Sequence, residues 1–143
     1  MFLGVCPKNW SYFQDSCYNI SSKTLTYNAA KVACEALGSK LAVVNSQAEN
    51  KAIASRVPGI AWIGLHRDPK NKLQWLTVDG SRVTYTHWDK GQPENNGQVL
   101  EECACTQPSN GLWHDYPCSP DKHYFVCKTI GEYLFISKRF SMF

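Results

Sequence analysis

The sequence predicts a single α+β domain in which two helices come early and a sheet of short strands follows. Helical patterns occupy residues 26–56, whereas every later apolar run has the length of a strand and is bounded by turn residues. With 143 residues, of which 43% are hydrophobic, the chain can bury one core and is too short for two domains of ordinary size. Seven cysteines indicate that disulfides support this core.

The chain begins with a strand followed by a helix. Residues 16–21 predict a short strand around Cys17, and Thr26 is a suitable N-cap for a helix that ends at Gly38. The helix face that we expect to be buried consists of Leu25, Ala29, Val32, Ala33, Ala36 and Leu37.

A second helix and the sheet come next. Residues 41–44 predict a strand, and Ser46 with Glu49 has the spacing of a capping box, which opens a helix that runs to about Arg56. Beyond it the sequence predicts only strands, at residues 60–65, 73–77, 83–86, 102–106, 112–114 and 123–128. We therefore expect an antiparallel sheet connected by long loops.

Charge and hydropathy exclude two classes of function. The formal net charge is +3, and no basic cluster is denser than Lys138-Arg139, so we expect no nucleic-acid partner. No apolar run approaches the roughly 18 residues that cross a bilayer. Residues 1–5 are too short for a signal peptide and are interpreted as a remnant preceding the domain, with any signal or anchor outside this sequence.

The cysteines and two glycosylation sequons indicate an oxidising compartment. No cysteine pair has the Cys-x-x-Cys spacing of zinc or redox sites, so a disulfide framework is the better interpretation. Asn9-Trp10-Ser11 and Asn19-Ile20-Ser21 are acceptor triplets for N-glycosylation. We predict a secreted glycoprotein or the extracellular portion of a membrane protein.

Oxygen-bearing side chains are concentrated in a loop-forming stretch, residues 88–116. They are Gln92, Glu94, Glu101, Glu102 and Asp115. The Gly, Pro and Asn residues between them exclude a long helix or a regular strand, and a loop of this kind can wrap around Ca²⁺, which prefers oxygen ligands. The residues alone leave open whether the stretch binds a cation or is a polar surface loop.

No arrangement in the sequence predicts an enzyme. His66, His87 and His123 have no nucleophile beside them, and Ser46 and Asp79 are explained by a helix cap and a turn. The tryptophans that we expect in the core rather than at a ligand are Trp62, Trp75, Trp88 and Trp113.

Residues 6–128 resemble a C-type lectin-like domain. Cys6-Pro7-Lys8-Asn9-Trp10 with Cys17-Tyr18 is similar to the amino-terminal hairpin of the long form of this family. Trp62-Ile63-Gly64-Leu65 matches the central strand motif, and Trp113-His114-Asp115 resembles Trp-Asn-Asp. The resemblance implies two helices flanking antiparallel sheets, a long structured loop and three disulfides.

The resemblance also implies which cysteines are paired. The expected disulfides are Cys6–Cys17, Cys34–Cys127 and Cys103–Cys118. Cys105 is left over, either as a small buried hydrophobe or as half of an intermolecular disulfide.

In sugar-binding members of the family, the long loop holds a calcium ion, and two neighbouring sugar hydroxyls complete the coordination of that ion. Carried across, the ion ligands are Gln92, Glu94, Glu101, His114 and Asp115, and the sugar-binding residues are Gln92, Glu94, Glu101, Asp115 and Tyr116. Gln92-Pro93-Glu94 is closer to the Gln-Pro-Asp of galactose binders than to the Glu-Pro-Asn of mannose binders. We therefore expect glycans with galactose-like terminal sugars as partners.

Two departures from the family pattern weaken the expected site. Glu94 is one methylene longer than the family's Asp, and His114 offers nitrogen where the family has an Asn oxygen. Ca²⁺ binding could therefore be weak, absent, or replaced by a softer metal such as zinc. The alternative function is a calcium-independent domain that binds a protein or another non-sugar ligand through the same loop.

The resemblance leaves three further points. At the second calcium position of the family, only Asp68 and Asn71 could serve as ligands, and basic residues surround them. We therefore do not expect a second calcium ion to bind. The apolar and basic tail, residues 129–143, could pack on the domain or on a second subunit, or it could equally be a remnant. A homo-oligomer is therefore one expectation.

Overall fold

The computed structural model describes residues 6–94 and 102–131. These ranges contain two helices and eight strands, connected by loops. The strands are β1 (Ser11–Phe13), β2 (Ser16–Ile20), β3 (Lys40–Leu41), β4 (Ala61–Asp68), β5 (Asn71–Thr77), β6 (Cys103–Thr106), β7 (Trp113–Tyr116) and β8 (Tyr124–Ile130). The helices are α1 (Tyr27–Ala36) and α2 (Gln47–Ala54). Neither helix in the described ranges combines the length and the apolar character that a membrane span requires.

The described strands form one sheet in which the pairing order is β1-β2-β8-β4-β6-β7, while β3 also pairs with β8 and β5 with β4. The expectation of a wholly antiparallel sheet was wrong at one pair, since β4 and β8 run parallel through Ala61↔Tyr124 and Trp62↔Phe125. A parallel pair needs a long connection, and the whole stretch from β5 to β7 supplies it. The sheet is therefore mixed.

The first helix lies where it was predicted but buries a different face. Tyr27, Ala30 and Cys34 point into the core, whereas Val32 and Leu37 of the expected face are more than half exposed. The predicted face was wrong in part: Leu25 and Ala33 do pack against the core, but the disulfide from Cys34 to β8 brings the Cys34 side of the helix to the sheet. Thr26 is the N-cap residue, although its side chain makes no capping hydrogen bond.

The second helix confirms half of the predicted capping box. The Ser46 hydroxyl accepts a hydrogen bond from the Glu49 amide at 3.1 Å. In a full capping box the Glu49 carboxylate would accept from the Ser46 amide, but here it accepts a hydrogen bond from the Asn45 amide at 2.8 Å. It also accepts from the Tyr18 hydroxyl and lies 2.6 Å from the Lys128 ammonium, so this buried carboxylate is fully paired.

The strand predicted at residues 83–86 is absent. Within the described ranges, only an isolated bridge from Arg82 to Leu76 pairs this region with the sheet. Val83 and Tyr85 are partly buried and pack on the core from an irregular segment. Apolar and polar residues alternate here because one side of the segment packs on the core, although the segment does not pair as a strand.

Three disulfides connect the elements as the resemblance implied: Cys6–Cys17, Cys34–Cys127 and Cys103–Cys118. The second joins residues 93 positions apart, and closing so long a loop stabilises the fold by about 4–5 kcal/mol in the chain-entropy model. Cys105 is a free thiol that is fully buried in β6, and burial raises the pKa of that thiol well above its usual value. It therefore packs as a small apolar residue.

Gly64 allows the chain after β3 to lie directly against β4. Its amide donates to the Ala42 carbonyl at 2.7 Å, and a Cβ at this position would lie 2.6 Å from the Leu41 carbonyl oxygen. No side chain fits there without separating the two segments. Of the four tryptophans expected in the core, Trp62 and Trp113 are completely buried, whereas Trp75 and Trp88 are only partly buried.

Candidate functional site

Strand β7 carries three of the predicted site residues, and they lie on two different faces of the strand. Side chains alternate along a strand, so Trp113 and Asp115 of β7 point to one face and are buried, whereas His114 and Tyr116 point to the other and are half-buried. Pairing with β6 through Ala104↔Asp115 fixes this register. Asp115 is therefore separated from its two neighbours in the sequence.

Helix α2 anchors the start of this strand. The Trp113 indole donates to Asn50 Oδ1 at 2.8 Å, and Asn50 Nδ2 donates to the Gly111 carbonyl at 2.9 Å. All three residues are buried, so Asn50 satisfies one donor and one acceptor that would otherwise be unpaired in the interior. The position of the site strand thus depends on a residue more than 60 positions earlier in the chain.

Asp115 is the centre of the candidate site. Its carboxylate is completely buried, with Oδ1 accepting from the Glu94 amide at 2.8 Å and Oδ2 accepting from the Arg67 guanidinium at 2.9 Å. Its own amide donates to Gln92 Oε1 at 3.3 Å, and Gln92 Nε2 donates to a Glu94 carboxylate oxygen at 3.3 Å. The structure therefore brings together Gln92, Glu94 and Asp115, whose side-chain oxygens we call the oxygen cluster.

Arg67 pairs with the buried carboxylate of the oxygen cluster, that of Asp115. Its guanidinium lies 4.9 Å from the centre of the Trp75 ring and also donates to the Lys72 carbonyl at 2.7 Å. Only 9% of the side chain is exposed, so the charge is held in place rather than solvated. Next to it, the Lys72 ammonium lies 3.5 Å from a Glu102 carboxylate oxygen.

His114 does not reach the oxygen cluster. Its Nε2 lies 2.9 Å from Asp89 Oδ2, a partner on the other face of the strand. The hydrogen bond from His114 and a second one from the Lys90 amide hold the pKa of the Asp89 carboxyl below its usual value. His114, which was predicted to bind the metal, therefore pairs with the Asp89 carboxylate instead.

Tyr116 is also separate from the oxygen cluster. Its ring packs against Trp62 and His123, and its hydroxyl accepts a hydrogen bond from Gln107 at 3.2 Å. These contacts lie on the face of β7 opposite Asp115. Glu101, the remaining predicted ligand, lies outside the described residues.

The oxygen cluster offers the type of ligand atom that calcium prefers, although three side chains supply only part of the about 6–8 oxygens that the ion takes. Amide and carboxylate oxygens are hard ligands, and each carboxylate oxygen has two lone pairs, so Asp115 Oδ1 can accept from the Glu94 amide and still bind an ion. Within residues 6–94 and 102–131, no group of three or more His, Cys, Asp or Glu side chains is arranged around a metal position. The fit therefore depends on Gln92 as well as on the two acidic residues.

Comparison with known proteins identifies the family. The model described as "Lectin C-type domain" matches residues 23–129. The chain belongs to the C-type lectin domain family. The resemblance seen in the sequence is thereby confirmed.

Individual relatives of this C-type lectin domain agree with that assignment. It is 36% identical over 133 residues to human "C-type lectin domain family 4 member E", covering 88% of this chain and 59% of that protein. The mouse scavenger receptor C-type lectin carbohydrate-recognition domain has a similar structure, with a TM-score of 0.82 and 34% identity over 89% of this chain and 99% of that one. A calcium-independent type II antifreeze protein is also similar, with a TM-score of 0.79 and 28% identity over 91% and 98%.

Two residues of the site were not identified from the sequence. Arg67 is one of the basic residues around Asp68 and Asn71 that were considered from the sequence only as charges opposing a cation, and Asp89 was not singled out. Arg67 lies 48 positions from Asp115, and Asp89 lies 25 positions from His114. No local pattern indicates contacts over such separations.

Proposed function

We propose that this C-type lectin domain recognises carbohydrates outside the cell, through a weakly bound calcium ion at the oxygen cluster. The observation that carries the proposal is the convergence of Gln92, Glu94 and Asp115, which come from two separate stretches and are joined by hydrogen bonds of 2.8 and 3.3 Å. Similarity to a carbohydrate-recognition domain supports the ligand class. Glu101 completes the proposed ligand set.

The residues present define what each group contributes. A calcium ion supplies open coordination positions for two neighbouring sugar hydroxyls, while the Gln92 amide and the Glu94 carboxylate provide a donor and an acceptor beside them. The Gln92-Pro93-Glu94 sequence favours galactose-like sugars. Because His114 is engaged with Asp89, we expect a dissociation constant of about 10⁻⁴–10⁻³ M for calcium, the range of weak extracellular modules.

The test combines calcium calorimetry with a glycan array read with and without a chelator. Glu94→Gln is the informative variant because Glu94 is exposed and its carboxylate can be neutralised at little cost to the fold. Glu35→Gln is the matched control, since it makes the same change at an exposed position of α1. We expect Glu94→Gln to abolish the calcium heat and the chelator-sensitive sugar binding, and Glu35→Gln to preserve both.

Two results would contradict parts of the proposal. No heat at millimolar calcium, with glycan binding unaffected by chelator, would leave a carbohydrate-binding domain that works without the ion. No heat and no glycan binding would instead favour the alternative, a lectin-like domain whose loop binds a protein.

A single weak site needs repetition to be useful. If several copies of the domain are displayed together, each further contact becomes intramolecular, and avidity can exceed the single-site affinity by about 10²–10⁴-fold. We therefore expect retention on a densely coated galactose surface to be much stronger than binding to the free sugar.

A further inference from the structure

We infer that Arg67 is a positioning residue, an internal cation that holds the Asp115 carboxylate and, through it, the Glu94 backbone in the ligand-binding arrangement without an added ion. The inference concerns the same site as the proposed function. It does not require calcium to bind, so it can fail separately.

The first step is that Arg67 neutralises a buried charge. The Asp115 side chain is completely buried and its Oδ2 lies 2.9 Å from Arg67 Nη2, which is the shortest charged contact that it makes among the described residues. A buried carboxylate without an opposite charge is strongly unfavourable. The opposite charge beside Asp115 Oδ2 is the Arg67 side chain, which neutralises this oxygen whether or not an ion binds at the cluster.

The second step is that Arg67 is itself fixed in place. One nitrogen donates to the Lys72 carbonyl at 2.7 Å, another donates to Asp115, and the guanidinium carbon lies 4.9 Å from the centre of the Trp75 ring. A guanidinium with two bonded nitrogens and an aromatic surface beneath it loses little freedom when it pairs with a carboxylate. The β4–β5 hairpin thus presents a charge at a defined point.

The third step connects the pair to the ligand-binding loop. Asp115 Oδ1 accepts from the Glu94 amide at 2.8 Å, and the Asp115 amide donates to Gln92 Oε1 at 3.3 Å. Both loop residues are therefore bonded to an aspartate whose orientation Arg67 determines. Lys72 with Glu102, 3.5 Å apart, adds a second contact between the hairpin and the segment before β6.

The test measures hydrogen exchange of the Glu94 amide by NMR in the presence of a chelator. In the unmodified domain we expect this amide to exchange at least about tenfold more slowly than an unprotected amide, because it is bonded to Asp115. Arg67→Met should remove most of that protection. Arg82→Met is the matched control, because Arg82 is exposed in the segment after β5, and it should leave the protection unchanged.

Two further measurements separate positioning from general destabilisation. The Ala42 amide, which donates to Val126 in the core at 2.9 Å, reports on the whole fold and should keep its protection in Arg67→Met. Arg67→Lys retains the charge but not both hydrogen bonds, so it should give an intermediate rate. In the double variant with Asp115→Asn, the Glu94 amide should exchange no faster than in the faster single variant, since both changes interrupt the same contact.

Two outcomes would overturn the inference. In the first, the Glu94 amide of the unmodified domain is unprotected in chelator and becomes protected only when calcium is added. In the second, Arg67→Met exchanges at the rate of the unmodified domain. Calorimetry on the same samples reports calcium binding independently, so failure of the proposed function is recognised separately.

Discussion

Replacing Asn50 with alanine tests how the site strand is attached to α2. The change removes the only side chain that bonds the Trp113 indole, at 2.8 Å, and the Gly111 carbonyl, at 2.9 Å, among the described residues. Each of these buried groups left unpaired costs about 1–3 kcal/mol, and the better helix propensity of alanine offsets about 0.5 kcal/mol. We expect the free energy of unfolding to fall by about 1.5–5.5 kcal/mol, a large part of the 5–15 kcal/mol typical of a domain.

Urea denaturation followed by tryptophan fluorescence measures this loss. The midpoint should fall while the slope with denaturant stays the same, since the surface exposed on unfolding is nearly unchanged. Asn28→Ala makes the same substitution at an exposed position of α1 and should change stability by no more than about 0.5 kcal/mol. A loss below about 1 kcal/mol in Asn50→Ala would refute the argument that this side chain satisfies two buried groups.

Two further predictions concern the core. Burial lowers the pKa of His123, whose ring lies 4.8 Å from that of Trp62, so the unfolded chain binds a proton at higher pH than the folded domain does. Stability should therefore fall as the pH drops through about 6.5. His123→Gln should weaken that dependence, which urea titrations between about pH 7.5 and 5 would measure. Identical pH profiles for the two proteins would contradict the assignment to His123. Gly64→Ala should cost about 1–3 kcal/mol, because its Cβ would meet the Leu41 carbonyl oxygen at 2.6 Å, and an unchanged melting temperature would show that the two segments can separate freely.

Local chemistry explains which elements could be predicted from the sequence. Ser46 caps α2 because a hydroxyl three residues before an amide can bond it regardless of what surrounds the helix. The buried face of α1 could not be derived from hydropathy in the same way. Tyr27, Ala30 and Cys34 face the core because a disulfide and a ring contact with Trp62 orient the helix, and both partners come from other elements.

The same distinction applies to the site. The positions of Gln92, Glu94 and Asp115 could be proposed together because a family motif relates them, and the structure joins them by hydrogen bonds. The role of Arg67 depends on the register that brings the end of β4 close to β7, with β6 between them. His114 was assigned by its place in the motif, although alternation along the strand directs its side chain to Asp89 on the other face.

The buried thiol of Cys105 gives the domain a natural probe of its own opening. The other six cysteines are paired, so an alkylating reagent has a single target, and β6 must be exposed before that target can react. The rate of alkylation under native conditions therefore reports the free energy of opening without any introduced label. Because β6 lies beside the strand that carries Asp115, any ligand that binds the folded site should slow this reaction, and the degree of slowing measures its affinity.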